Sequence, residues 1–116
     1  MSEKDVFIFL EHIIENIKDI ESFSKNILKE DLNKNKEKLN AIVRSIEIIG
    51  EAAKNIPNSF KEKHTQIPWK VIIGTRDKLI HHYFGVDLDM VWKIVKEDIF
   101  ILKKQILEIK EEIAKT

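Results

Sequence analysis

Three glycines and two prolines punctuate the 116 residues of this chain, and between them apolar residues recur at spacings of three and four. A protein of many strands would need more turns than that, and the period is the one that lets a helix bury one face. Four blocks carry it. The first opens on Ser2-Glu3-Lys4-Asp5, which resembles a capping box, and continues through Val6, Leu10, Ile13, Ile17 and Ile20 until the pattern decays near Ser22 to Ser24. Residues 29 to 38 are polar and mixed in charge, and read as a loop or a frayed helix start. The second block sets Leu39, Ile42, Val43, Ile46, Ile49 and Ala53 on one face. Gly50 lies inside it, where glycine costs about 1 kcal/mol against alanine, so it marks a close helix contact. Pro57 ends the block.

Pro68 suits the first turn of a third helix that presents Trp69, Ile72, Ile73, Ile80 and Tyr83 along one face and ends at Gly85 as a C-terminal cap. Asp87 is then the N-cap of a fourth helix running from about Leu88 to Lys115, with Val86 and Val91 at hydrophobic-staple positions. Its seam is Trp92, Val95, Ile99, Leu102, Ile106, Ile109 and Ile113, and at 1.5 Å per residue it is roughly 40 Å long. Four amphipathic helices with short connections predict an all-α antiparallel four-helix bundle with a long C-terminal helix. Met90, Ile94, Phe100, Ile101 and Leu107 exceed what one stripe needs. They mark either a wide core face or a surface buried against another chain.

The length fits a single domain over residues 1 to 116, exposing roughly 6,600 Å² when folded. Hydrophobic residues at 43% place the chain far from disorder. Basic and acidic residues number 20 each, so there is no protein-wide positive field, and any phosphate binding must come from a local cluster. The absence of cysteine excludes a disulfide scaffold, a zinc–thiolate site and thiol catalysis. No apolar run resembles a signal peptide or a membrane span, so a soluble, cytoplasmic protein is expected.

The chemistry concentrates in Gly74-Thr75-Arg76-Asp77-Lys78-Leu79-Ile80-His81-His82-Tyr83-Phe84-Gly85. On a helical wheel Arg76 falls in the middle of the apolar stripe. A guanidinium there must pair, reach solvent at an edge or line a cleft. A structural salt bridge to Glu47 or Glu51 on the second helix is one answer. His81 would stand one turn beyond Asp77 near the end of the helix, where the dipole and the carboxylate favour imidazolium. A solvated helix-end histidine is the plainer alternative. His12 and His64 have no such setting and read as surface residues. No His-x-x-x-His pair suggests a metal, and neither metal nor cofactor is expected. RNA supplies its own nucleophile, the 2′-hydroxyl. Its cleavage needs an acid or base near neutrality and a cation at the phosphorane, roles that imidazole and guanidinium fill. On one helix Arg76 and His81 diverge by roughly 140°, so a two-fold dimer would present them better than a single chain.

The segment Arg76-x4-His81-x-Tyr83 resembles the Arg-x4-His-x-Tyr motif of the HEPN superfamily, in its HepT-like toxin branch. Arg44-Ser-Ile-Glu-Ile-Ile-Gly-Glu-Ala-Ala-Lys54 is similar to that family's second-helix signature. Trp69, the run Leu79 to Asp87 and the pair Val91-Trp92 extend the resemblance over about residues 4 to 113. Thr75 and Asp77, on either side of the arginine, depart from the commoner residues there. The resemblance implies an all-α homodimer and a metal-independent ribonuclease. It further implies a toxin of a two-gene toxin–antitoxin system whose antitoxin is an MntA-type nucleotidyltransferase. Carried onto this chain, Arg76 binds the scissile phosphate and His81 is the acid or base. Tyr83 is the hydroxyl that the antitoxin adenylylates, although by packing alone it reads as a core aromatic. Asp77, His82 and Glu51 are the supporting candidates, and Lys54, Lys70 and Lys78 are the lysines expected near the cleft. Two other readings stand beside the toxin: a non-catalytic nucleotide- or protein-binding module that a nucleotidyltransferase modifies, and a structural dimerisation domain.

Overall fold

A computed structural model describes residues 3 to 81 and 85 to 115. Among the described residues the fold is all-α apart from a ribbon of two strands, each two residues long. Helix α1 (Glu3–Ser24) buries Val6, Leu10, Ile13, Ile17 and Ile20, the stripe expected from spacing, and adds Ile14. The Ser2 cap lies outside the described residues. At the far end the Ser24 hydroxyl donates to the Ile20 carbonyl at 2.7 Å, and Asn26 turns the chain with φ of 60°. No helix among the described residues is long and apolar enough to cross a membrane.

The polar stretch that reads as a loop contains a short helix, α2 (Lys29–Lys34). Two local features hold it. Asp31 Oδ2 accepts from the Leu28 backbone N–H at 2.7 Å, and Leu32 inserts into the core. A single buried leucine gives no periodicity, which is why the pattern misses the element. Asn35 then caps α3 (Lys36–Asn55), its side chain accepting from the Lys38 N–H at 3.1 Å. Helix α3 packs most extensively on α1 and next on α5 (Trp69–Leu79). Gly50 marks the second contact as expected: a Cβ there would stand 3.3 Å from the Ile72 carbonyl oxygen, so the two backbones approach closely. A short α4 (Asn58–Lys63) follows Pro57. The Trp69 indole N–H donates to the His64 carbonyl at 3.0 Å and ties α4 to α5. The His64 ring itself is half-buried against Phe60, centroids 4.5 Å apart, rather than a bare surface residue.

Helix α5 departs from expectation in two ways. It ends at Leu79, not near Gly85. Ile80–His81 (β1) instead pairs antiparallel with Gly85–Val86 (β2), in the register Ile80 to Val86 and His81 to Gly85. The Leu79 carbonyl accepts from the Asp87 N–H at 2.8 Å, a tertiary partner in place of a further helical turn. Gly85 has φ of 84°, so its left-handed backbone serves the ribbon and not a helix cap. The buried face is also rotated. Trp69, Thr75 and Leu79 are buried, Ile72 and Ile73 are half-buried, and Arg76 faces solvent at 59% exposure instead of sitting mid-stripe. Close approach at Gly50 places the Ile72–Ile73 backbone, not their side chains alone, against α3.

Asp87 caps the last helix as read, Oδ1 accepting from the Met90 N–H at 3.1 Å. That helix is α6 (Leu88–Lys93), a π turn over Ile94–Asp98, and α7 (Ile99–Lys115). The Ile99 N–H reaches back to the Ile94 carbonyl. One extra residue in that turn shifts the phase. Val91 is fully buried where the spacing selects Trp92, which is half-buried beneath the Lys96 ammonium at 4.7 Å. Beyond the π turn the expected seam of Ile99, Leu102, Ile106 and Ile109 resumes. Exposed Lys29 pairs with Asp89, joining α2 to α6, and that carboxylate raises the lysine above its ordinary pKa.

Candidate functional site

Arg76 leaves α5 in its last turn. Its Nε lies 3.6 Å from Glu47 Oε2 on α3, and its Nη1 lies 3.8 Å from Asp77 Oδ1. The same Glu47 oxygen lies 3.6 Å from Arg44 Nη1, one turn earlier on α3. Glu47 is half-buried while Arg44 and Arg76 are 69% and 59% exposed, so a sheltered carboxylate stands between two solvent-facing guanidiniums. Gly50, one turn beyond Glu47, sets how near α5 comes and therefore lets Arg76 reach across.

Glu47, not Glu51, is the partner that the sequence leaves open between the two. Glu51 is exposed, and its backbone carbonyl accepts from the Asn55 side-chain amide at 2.8 Å. Asp77 meets Arg76. The expected helical contact from Asp77 to His81 has lost its geometric basis, because the helix ends two residues before His81. His81 is placed by its backbone in β1, opposite Gly85. Its side chain, with His82 and Tyr83, lies outside what is described. Lys54, Lys70 and Lys78 are all exposed. Among the described residues no group of three His, Cys, Asp or Glu is arranged to hold a metal ion.

Beside this cluster an apolar cleft of about 450 Å³ opens between α3, α5 and the π turn, lined mainly by Ile46, Ile49, Val71, Ile72, Ile94 and Ile101. Thr75, the neighbour of Arg76, lines it too, with its hydroxyl spent on the Val71 carbonyl at 2.5 Å. Val71 and Ile101 stand 52% and 57% exposed at this cleft, and Phe100 is 70% exposed on α7. Of the surplus apolar residues on the last helix, Ile94 belongs to the core, Met90 is half-buried, and Phe100, Ile101 and Leu107 remain uncovered.

Residues 13 to 109 match the family described as Ribonuclease HepT-like. The chain belongs to this family. HepT-like relatives agree over most of its length. A protein of Thermococcus cleftensis described as probable ribonuclease HepT is 53% identical over 102 residues, which cover 88% of this chain and 90% of that one. A provisionally named RNase of Methanocaldococcus jannaschii is 44% identical over 113 residues, covering 97% of this chain and 93% of that one. A second protein of that organism, named for a gamma-glutamylcyclotransferase and provisionally for an RNase, is 50% identical over 112 residues. The match takes in 97% of this chain and only 50% of that longer relative. No solved structure matches the chain. Arg44 is the residue of the cluster that motif reading left without a role. The signal was compositional: it and Arg76 are the only arginines in the sequence.

Proposed function

We propose that this chain is a metal-independent endoribonuclease, acting as a homodimer and as the toxin of a toxin–antitoxin pair. The observation that carries the reading is the solvent-facing Arg76 guanidinium, tethered by Glu47 and five residues before His81, in a HepT-like chain. In this mechanism the 2′-hydroxyl of the RNA attacks the adjacent phosphorus and gives its proton to a base. The bond to the 5′-oxygen breaks, and that oxygen takes a proton from an acid. The products are a 2′,3′-cyclic phosphate and a 5′-hydroxyl. Arg76 binds the phosphate and offsets the charge that builds on the phosphorane. His81 serves as acid or base, since imidazole is the side chain that exchanges protons near neutrality.

Two features support a dimer. The apolar cleft with exposed Val71 and Ile101 borders the same helix that carries Arg76. The accessible surface is 7689 Å², above the roughly 6,600 Å² of an ordinary monomer of this mass. Tyr83 is the regulatory hydroxyl in this reading. Its oxygen attacks the α-phosphate of ATP on the partner nucleotidyltransferase, pyrophosphate leaves, and the attached AMP adds bulk and negative charge that oppose the binding of RNA. The competing reading, a non-catalytic binding module, draws on the formal neutrality of a cluster in which two carboxylates face two arginines.

Cleavage of single-stranded RNA in EDTA separates the two. Arg76→Ala and His81→Ala are each expected to lower the rate by roughly 100-fold or more while the melting temperature holds. Wild-type rates in both variants would favour the binding module. Incubation with the partner enzyme and ATP should add the mass of AMP to the wild type and not to Tyr83→Phe.

A further inference from the structure

The sequence holds 20 basic residues, of which only Arg44 and Arg76 are arginines; the others are lysines. They lie 32 positions apart on different helices, and the fold brings both to one oxygen of Glu47, at 3.6 Å each. Their paired nitrogens are therefore no more than twice that distance apart. Arginine and lysine are equivalent for surface charge and solubility. They differ where a planar fork must grip a phosphate through two donors. A chain that uses lysine everywhere else and arginine at these two places has a geometric reason for the choice.

The ion pairs do not account for it. Each is a single nitrogen-to-oxygen contact beyond hydrogen-bond length, and none of the hydrogen bonds among the described residues uses either guanidinium. Pairs this exposed contribute little to stability. What the carboxylate does achieve is to let two cations stay close in the absence of a ligand, with most of their donors turned to solvent.

We propose that Arg44 is a second phosphate-binding residue, held beside Arg76 by Glu47 so that the two guanidiniums clamp successive phosphates of one RNA strand. Arg76 takes the scissile phosphate and Arg44 a neighbouring one, while Glu47 is a positioning residue that touches no substrate. The inference rests on the ribonuclease reading of the site, and it makes the preferred substrate an oligonucleotide and not a dinucleotide.

The test is binding of a fluorescent 2′-O-methyl oligoribonucleotide, which lacks the attacking hydroxyl, across a series of salt concentrations. Releasing one phosphate contact lowers the slope of log K against log salt by about 0.7 for a single strand. Arg44→Ala should show that loss of slope with weaker binding. With cleavable RNA, the concentration that half-saturates its single-turnover rate should rise by roughly tenfold, since the lost contact is one to a charged group. Arg44→Lys should restore the slope and only part of the affinity. Glu47→Gln should bind more tightly, because a negative charge leaves the strand's path, and cleave more slowly, because Arg76 is no longer held. An unchanged slope in Arg44→Ala overturns the clamp, as does binding as tight as that of the wild type. Failure of the underlying reading looks different: the wild type itself does not cleave RNA in EDTA, or cleaves it regardless of Arg76.

Discussion

Helix α3 serves two neighbours by different means. Toward α1 the contact is apolar and deep, with Val6, Leu10, Ile13, Ile17 and Ile20 at most 2% exposed. Toward α5 the backbones close in at Gly50, and the border carries Arg44, Glu47 and Arg76. The first arrangement stabilises, since buried side chains gain transfer energy and close packing together. The second adds little stability and holds charge in a fixed place within reach of solvent. A small bundle can therefore afford an electrostatically awkward edge, because its stability is secured elsewhere.

The contrast breaks most visibly in a pair of substitutions. Leu10→Ala should lower the unfolding free energy by about 2–5 kcal/mol in urea titrations and leave the cleavage rate per folded molecule unchanged. Arg76→Ala should do the reverse, losing cleavage with stability within about 0.5 kcal/mol. A middle case is Asp87→Ala, which removes the cap that starts the last helix and should cost about 1 kcal/mol. The smallest net change is expected from Gly50→Ala. Alanine's helix propensity would by itself add about 1 kcal/mol. The new Cβ, 3.3 Å from the Ile72 carbonyl oxygen, pushes α5 back and cancels that gain. Cleavage should fall all the same, as Arg76 moves away from Glu47. Full stabilisation with unaltered cleavage would show that the α3–α5 spacing does not set the site.

The two regions were also unequally legible. The α1 stripe, the Gly50 contact and the Asp87 cap follow from spacing and residue type, because each is decided within one or two turns of chain. The π turn was hidden because it alters phase without altering composition, so Trp92 stood where Val91 belongs. The early end of α5 was hidden for a different reason. Its deciding bond, Asp87 N–H to the Leu79 carbonyl, joins residues on either side of the ribbon, and a helical wheel assumes the helix goes on. Arg76 stands out in the sequence by its motif. Its partner was narrowed to two glutamates by sequence and to Glu47 by the way α5 rotates on α3. Arg44 needed both: rarity in the sequence and convergence in the fold.

The central claim is that the polar edge is a phosphate-cleaving site using the RNA's own 2′-hydroxyl. Mass spectrometry of the RNA ends after digestion in EDTA tests it most directly. The account predicts 2′,3′-cyclic phosphate and 5′-hydroxyl ends from the wild type and intact RNA from Arg76→Ala. Ends bearing 3′-hydroxyl and 5′-phosphate, or the same cyclic products from Arg76→Ala at the wild-type rate, would contradict it.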